Sequence, residues 1–232
     1  MRSDDIALVR ELDLFAEMAE SNFEELMQAA FLQRFPPQVQ LITEGDPPDF
    51  LHIVVEGSVE LIATGNGRET SIEIVRPVST FILAAVLRDA VYLMSGRTIE
   101  SSIVLMVPAE NVRAIFARDN AFARAVVREL SGRYRAVVKS LKNHKLRNAV
   151  ERLANFLLQQ HVQQGSSGTL DLQVDKRTLA ALLGMTPENL SRAFATLRPY
   201  GVEVNGREIR LHSIPELRGL AKSNPLIDDP AT

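Results

Sequence analysis

Residues 176–197 read KRTLAALLGMTPENLSRAFATL, and few folds accept that string. Two helical runs, the first over 177–183, flank Gly184, which suits a helix C-cap because a positive φ is cheap for glycine. Thr186 is a good N-cap, and Pro187 fits the first helical position, where a missing N–H costs nothing. Glu188 then lies in the first turn, where the helix dipole favours a carboxylate. Leu190, Phe194 and Leu197 recur at i, i+4 and i+7 and predict a core face. Glu188, Ser191, Arg192 and Ala195 fall on the outward face. A helix over about 146–162, with Leu146, Val150, Leu153, Ala154, Leu157 and Leu158 on one side, precedes this pair, followed by a short strand in LDLQV. GVEVNGREIRLH comes after it, two strands around Asn205–Gly206, a strong hairpin signal. Helices, turn and hairpin in that order predict a winged helix-turn-helix over 146–218.

The outward face has the chemistry of a major-groove reader. A carboxylate accepts from cytosine N4, a guanidinium grips guanine O6 and N7, and a serine lies well beside a thymine methyl. Glu188, Ser191 and Arg192 are therefore candidate base readers. Lys176, Arg177, Thr186, Asn189, Arg207 and Arg210 are candidate contacts to the DNA backbone, which set register. The plainer alternative is a capped surface helix with a Glu188–Arg192 pair at i,i+4. The glycine turn, the cap and the hairpin weigh against it.

The front of the chain has another texture. Residues 4–30 carry helical periodicity, with Ser21 or Asn22 as an expected cap. From 31 to about 108, short β-rich runs such as VQLIT, FLHIVV, VELIAT, TSIEIV and SIVLMV alternate with Gly, Pro, Asp and Asn, predicting a small β-sandwich or barrel. The expected class is α+β. A long helix is predicted from Asp119 to His144, its apolar residues stepping by four and three through Ala123, Val127, Leu130, Tyr134, Val137 and Leu141. Arginines and lysines flank that heptad seam, which suits a partner helix and predicts a homodimer. Residues 1–118 are read as an effector-sensing domain, 119–145 as the dimerisation helix, 146–218 as the reader and 219–232 as a fraying tail.

Net charge is −3, but residues 1–60 carry 13 acidic and 3 basic side chains, whereas 61–142 carry 7 and 12 and 143–232 carry 9 and 11. The rear is thus the better candidate for a polyanion. With no cysteine, disulfides, thiolate zinc and cysteine-held iron–sulfur clusters are excluded. MRSDDIALVREL has no apolar signal core, and no run of 18 apolar residues predicts a membrane span, so a cytoplasmic protein is expected.

Nearly the whole chain resembles the CRP/FNR family of bacterial transcription regulators. The resemblance rests on FPPQVQLITEGDPPDFLHIVVEGSVEL, on the long helix and on MTPENLSR. It implies an N-terminal cyclic-nucleotide-binding-like β jelly roll, a dimerisation helix and a C-terminal winged helix-turn-helix, acting on double-stranded DNA with RNA polymerase as partner. Glu188, Ser191 and Arg192 match the Glu-x-x-Ser-Arg pattern of the FNR branch, which implies a TTGAT half-site in an inverted TTGAT…ATCAA repeat. The CRP branch has arginine where this chain has Pro187. RPVSTFILAA and LRNAVERLANFLL look most like the FtrB-type activators.

The sensing residues depart from that pattern. The family's phosphate cassette has a Gly-Glu pair and then Arg-Ser or Arg-Thr; residues 76–98 hold no Gly-Glu, and Tyr92, Leu93 and Met94 stand where the arginine and its neighbour belong. A phosphodiester buried without a cation is costly, so tight cyclic AMP binding is not expected. Leu83, Tyr92, Met94, Val127, Leu130 and Tyr134 are the expected lining of an apolar effector pocket. A metabolite, no ligand, or haem on His52 or Met94 all remain open, and haem would make the chain a gas sensor. A cupin-like enzyme would need clustered metal ligands, but His52, His144, His161 and His212 are scattered, and no enzyme is expected.

Overall fold

The computed structural model describes residues 3–229, which divide within one long helix, after Arg133, into two compact units. In the front unit α1 (Ser3–Arg10), α2 (Asp13–Ala16) and α3 (Glu20–Ala29) precede β1 (Phe31–Phe35), β2 (Gln40–Ile42), β3 (Phe50–Glu56), β4 (Val59–Gly65), β5 (Arg68–Val75) and β6 (Ser79–Phe81). Then come α4 (Leu83–Arg88), β7 (Ser95–Thr98), β8 (Ser102–Pro108) and α5 (Ala109–Arg118). The strands form two four-stranded antiparallel sheets, ordered β1-β8-β3-β6 and β2-β7-β4-β5.

β3 buries every side chain of LHIVV. Successive side chains point to opposite faces, and both faces are covered. Leu51, Ile53 and Val55 meet the helices, packing with Phe15, Phe23, Leu26, Leu105, Ile115 and Phe122. Val54 faces the other way, into the space between the sheets, with Ile42, Val59, Leu61, Val75, Phe81 and Tyr92. Gly57 turns the chain from β3 to β4 at φ +80°, and a Cβ there would lie 2.4 Å from Ser102 Oγ and 2.6 Å from the Ser101 carbonyl. The adjacent Ser58 N–H donates to Ser102 Oγ over 3.1 Å.

The long helix α6 spans Asn120–Leu146. Its first turns bury Phe122, Ala125 and Val126 in the front core, a face that lies beside the predicted seam. Leu130, expected in the seam, also packs against this core. Ala123 is half-buried, and the rest of the seam is open: Val127 is 60% exposed, Tyr134 71%, Val137 65% and Leu141 55%. The expected cap of α3 is replaced. Asp119 Oδ2 accepts from the Ala19 N–H at 3.0 Å and from Asn22 Nδ2 at 2.8 Å, while its Oδ1 accepts from Ala121 and Phe122 at the start of α6.

In the rear unit the chain runs from the end of α6 into α7 (Ala149–Gln163), β9 (Thr169–Asp171), α8 (Lys176–Leu182) and α9 (Pro187–Leu197). A 3₁₀ turn leads to β10 (Val202–Asn205), β11 (Glu208–Leu211), α10 (Ile214–Ala221) and α11 (Pro225–Asp228). Leu146, expected on the buried face of the second helix, belongs to α6 and is exposed. The break at 147–148 is set by Asn148, whose side chain caps the Glu151 N–H while Glu151 reaches back, a capping box. The tail does not fray over its described residues. Ala221 and Ile227 are buried there. Residues 230–232, part of the same expectation, lie outside the described residues.

Candidate DNA interface

α8 and α9 form the helix-turn-helix, and their caps are local. Asp175 Oδ1 accepts from the Thr178 N–H at 2.7 Å and starts α8 one residue earlier than predicted. Gly184 adopts φ +60°, and the N–H of Met185 bonds the Ala180 carbonyl at 2.9 Å to close the turn. Thr186 Oγ1 accepts from the Asn189 N–H at 3.2 Å, with Pro187 in the first turn. Leu190, Phe194 and Leu197 are buried as the spacing predicts, joined by Ala193. Glu188, Ser191, Arg192 and Ala195 are exposed on the other side.

The outward side chains are ordered by bonds within the helix. Arg192 Nη2 donates to Asn189 Oδ1, and Ser191 Oγ donates to the Pro187 carbonyl at 3.0 Å. A hydrogen bond from Thr186, and after it the helix's own amide and Arg192, holds the Glu188 carboxyl below its ordinary value. The face therefore presents a carboxylate and a guanidinium about one turn apart.

The other predicted contacts divide. Lys176 and Arg177 are exposed at the start of α8, and Thr186 and Asn189 at the start of α9. The hairpin forms, with β9 as third strand in the order β10-β11-β9 and Gly206 at φ +64° in the turn. Its arginines are already engaged: Arg207 Nε donates to the Leu172 carbonyl at 2.9 Å, and Arg210 Nε to Glu208 at 2.8 Å. Arg152 joins them without being marked in the sequence. It donates to the carbonyls of Leu183 at 2.8 Å and Arg147 at 2.7 Å, tying the helix-turn-helix to the end of α6. Its spacing on α7 resembles any solvated position, so nothing local marks it.

The predicted effector lining is not brought together. Leu83 and Val86 of α4 face the helical core, whereas Tyr92 is buried between the sheets with Met94 packed against it. Val127 and Tyr134 are exposed, and Leu130 packs on the helical core. The physical reason is α4, unforeseen in FILAAVL. A helix there turns Leu83 one way and Ala85 the other. His52 is buried, its ring stacked 5.1 Å from that of Phe81, and burial pushes it down to about 4, so it is neutral at pH 7. Among the described residues no three His, Asp or Glu side chains converge on a site for a metal ion. Among them, too, no helix is long and apolar enough to cross a membrane.

The cyclic nucleotide-binding domain family matches residues 32–119, and the Crp-like helix-turn-helix domain family matches 151–220. No curated protein matches the chain. A regulatory protein from Silicibacter pomeroyi DSS-3, provisionally named as cAMP-binding, is similar in structure with 25% identity and TM-score 0.61, over 96% of this chain and 100% of that one. FixK2 from Bradyrhizobium japonicum shares the fold at 23% identity and TM-score 0.72, over 84% of this chain and 98% of its own. A protein from Eubacterium rectale ATCC 33656, assigned as a transcriptional regulator of the Crp/Fnr family, does so at 18% identity and TM-score 0.72, over 90% and 98%. A cyclic-nucleotide-binding fold in front of a Crp-like reader, joined by one long helix, makes this chain a member of the CRP/FNR family of DNA-binding transcription regulators.

Proposed function

We propose that the chain acts as a homodimer whose two α9 helices read a TTGAT…ATCAA inverted repeat through Glu188, Ser191 and Arg192, working with RNA polymerase. The observation that carries this is the division of α9 into a buried apolar face and an exposed Glu-x-x-Ser-Arg face. The exposed apolar residues Val127, Tyr134, Val137 and Leu141 support pairing through α6, in keeping with residues 119–145 as the dimerisation helix between a sensor (1–118) and a reader (146–218). A two-fold axis along such a seam places the readers about one turn of DNA, roughly 34 Å, apart.

The test is fluorescence anisotropy on the repeat and on a scrambled duplex over a salt series. The repeat should bind more tightly at every salt concentration, with affinity falling as salt rises. Arg192→Ala should cost about 1–3 kcal/mol and relax specificity at one base pair of each half-site. Equal weakening on every sequence would remove the base-reading assignment.

The effector is neither cyclic AMP nor an iron–sulfur cluster. Arg88 is exposed on α4, and Arg97 is engaged by Glu60 and Glu69, so neither offers a buried phosphate its cation. Calorimetry should find no micromolar cyclic AMP site. Haem is the second reading, favoured by the neutral His52, whose buried Nδ1 has no hydrogen-bond partner. Against it, His52 packs on Phe50 and Phe81, and Met94 on the cluster around Tyr92, so haem would have to open that core. The absorption spectrum of the fresh protein decides, a Soret band favouring haem.

A further inference from the structure

Residues 221–229 touch both sides of the joint where α6 ends and α7 begins. On the α7 side, Asn155 is buried and donates to the Ala221 carbonyl at 2.6 Å while accepting from Ser223 Oγ at 2.8 Å. Lys222 Nζ donates to Glu151 at 2.8 Å, the same carboxylate that closes the α7 capping box. On the α6 side, Lys139 Nζ donates to the Asp229 carbonyl at 2.7 Å. At the joint itself Arg147 grips Asp228 with both ends of its guanidinium, at 2.7 and 2.5 Å, and also reaches Asn143 on α6 at 3.0 Å.

This is a built contact. The Arg147 and Asp228 side chains are only 5% and 14% exposed, a setting in which removing one partner strands the other charge. The segment is also shaped for its place: Asn224 Oδ1 caps α11 by accepting from the Leu226 N–H at 2.9 Å, and Ile227 is buried. The joint it spans has two non-helical residues, Arg147 and Asn148, through which the reader would otherwise swing. From Arg147 the connection continues through Arg152 to the carbonyls of Leu183 and Gly184, at the turn before α9.

We propose that residues 222–229 are a positioning strap, with Arg147 and Asp228 as its clasp, that sets the direction of the recognition helix relative to the end of α6. The strap contacts no DNA. Its effect is on the span between two readers, so it rests on the dimeric half-site reading above. When both half-sites must be met at once, correct span multiplies affinity by about 10²–10⁴ over one site alone, and a loose joint forfeits part of that gain.

The experiment uses the full chain, the variant Asp228→Asn and a chain ending at Ser223. Each is titrated against repeats of graded half-site spacing and against a single half-site duplex. Sedimentation reports the oligomer and amide exchange reports residues 143–152. Loosening the clasp should lower affinity for the best-spaced repeat by about tenfold, a part of the gain of about 10²–10⁴ that a correct span confers, and flatten the spacing preference. Affinity for the single half-site and the oligomer should stay unchanged, and exchange at the joint should quicken while α9 is unaffected. An unaltered spacing preference with unaltered exchange overturns the strap. So does an equal fall in repeat and half-site affinity, which would make the segment only a stabiliser of the reader. Should the native chain show no preference for a repeat, the half-site reading fails, and exchange at the joint still decides whether the clasp holds it.

Discussion

The imidazole of His144, in the last turn of α6, occupies the space a side chain on Gly184 would need. A Cβ on Gly184 would lie 2.7 Å from both Cε1 and Nδ1 of that ring. The glycine is thus required twice, by its φ of +60° and by its neighbour.

Gly184→Ala should destabilise the chain by about 1–2 kcal/mol from backbone conformation alone, with the collision added. Adding His144→Ala should recover the collision and leave the backbone cost. Urea unfolding of the single and double variants separates the two contributions.

Asp119 serves two helix starts, those of α3 and α6. Burial works against its charge, but the amides of Phe122, Ala19 and Ala121 and the side chain of Asn22 outweigh that and hold it below the usual aspartate range. Its stabilisation is therefore present above its unfolded pKa and lost as pH falls through the lower folded value. Asp119→Ala should cost about 2 kcal/mol or more at neutral pH, each lost cap contributing about 1 kcal/mol. Melting curves at pH 7 and pH 3 check this, the gap between native and variant narrowing in acid.

His52 predicts a second acid limb. The folded chain keeps it neutral down to about 4, while the unfolded chain takes a proton at 6.5. Between those values the unfolded state binds more protons, so stability falls with pH, by about 3 kcal/mol when the window is crossed. Above pH 6.5 His52 contributes no slope. His144, also lowered by burial and then by Arg152, acts in the same sense. His52→Leu should flatten the front unit's dependence between pH 6.5 and 4 and leave that of His144; unfolding midpoints across this range are the measurement.

Val137→Asp places a carboxylate in the middle of the exposed apolar stretch of α6. If that stretch is a seam, the variant should sediment as a monomer and lose most of its affinity for the repeat while still binding one half-site weakly. A dimer that persists would remove α6 as the pairing surface.

What could be read from the chain was what local chemistry decides. Thr186–Pro187 and Gly184 mark the ends of helices whose caps lie within a few residues, and the structure places α9 as its spacing predicts. FILAAVL was harder. A short apolar run fits a strand or a helix, and only packing against two separate cores selects α4 and sends Leu83 away from Tyr92. The buried face of α6 escaped because the seam, Val127 to Leu141, was the more regular pattern. Asp119 capping α3 and Asp228 meeting Arg147 join residues 100 and 81 positions apart, and no periodicity points to such partners.

Gly57, in the phrase VEGSVEL, is pressed against Ser101 and Ser102 closely enough that any larger residue would push the β3–β4 turn away from them. What makes that phrase recognisable is thus a steric demand at a crossing of two backbones. That demand is met by packing alone and involves no ligand, so the identity of any stimulus is written in residues away from this crossing.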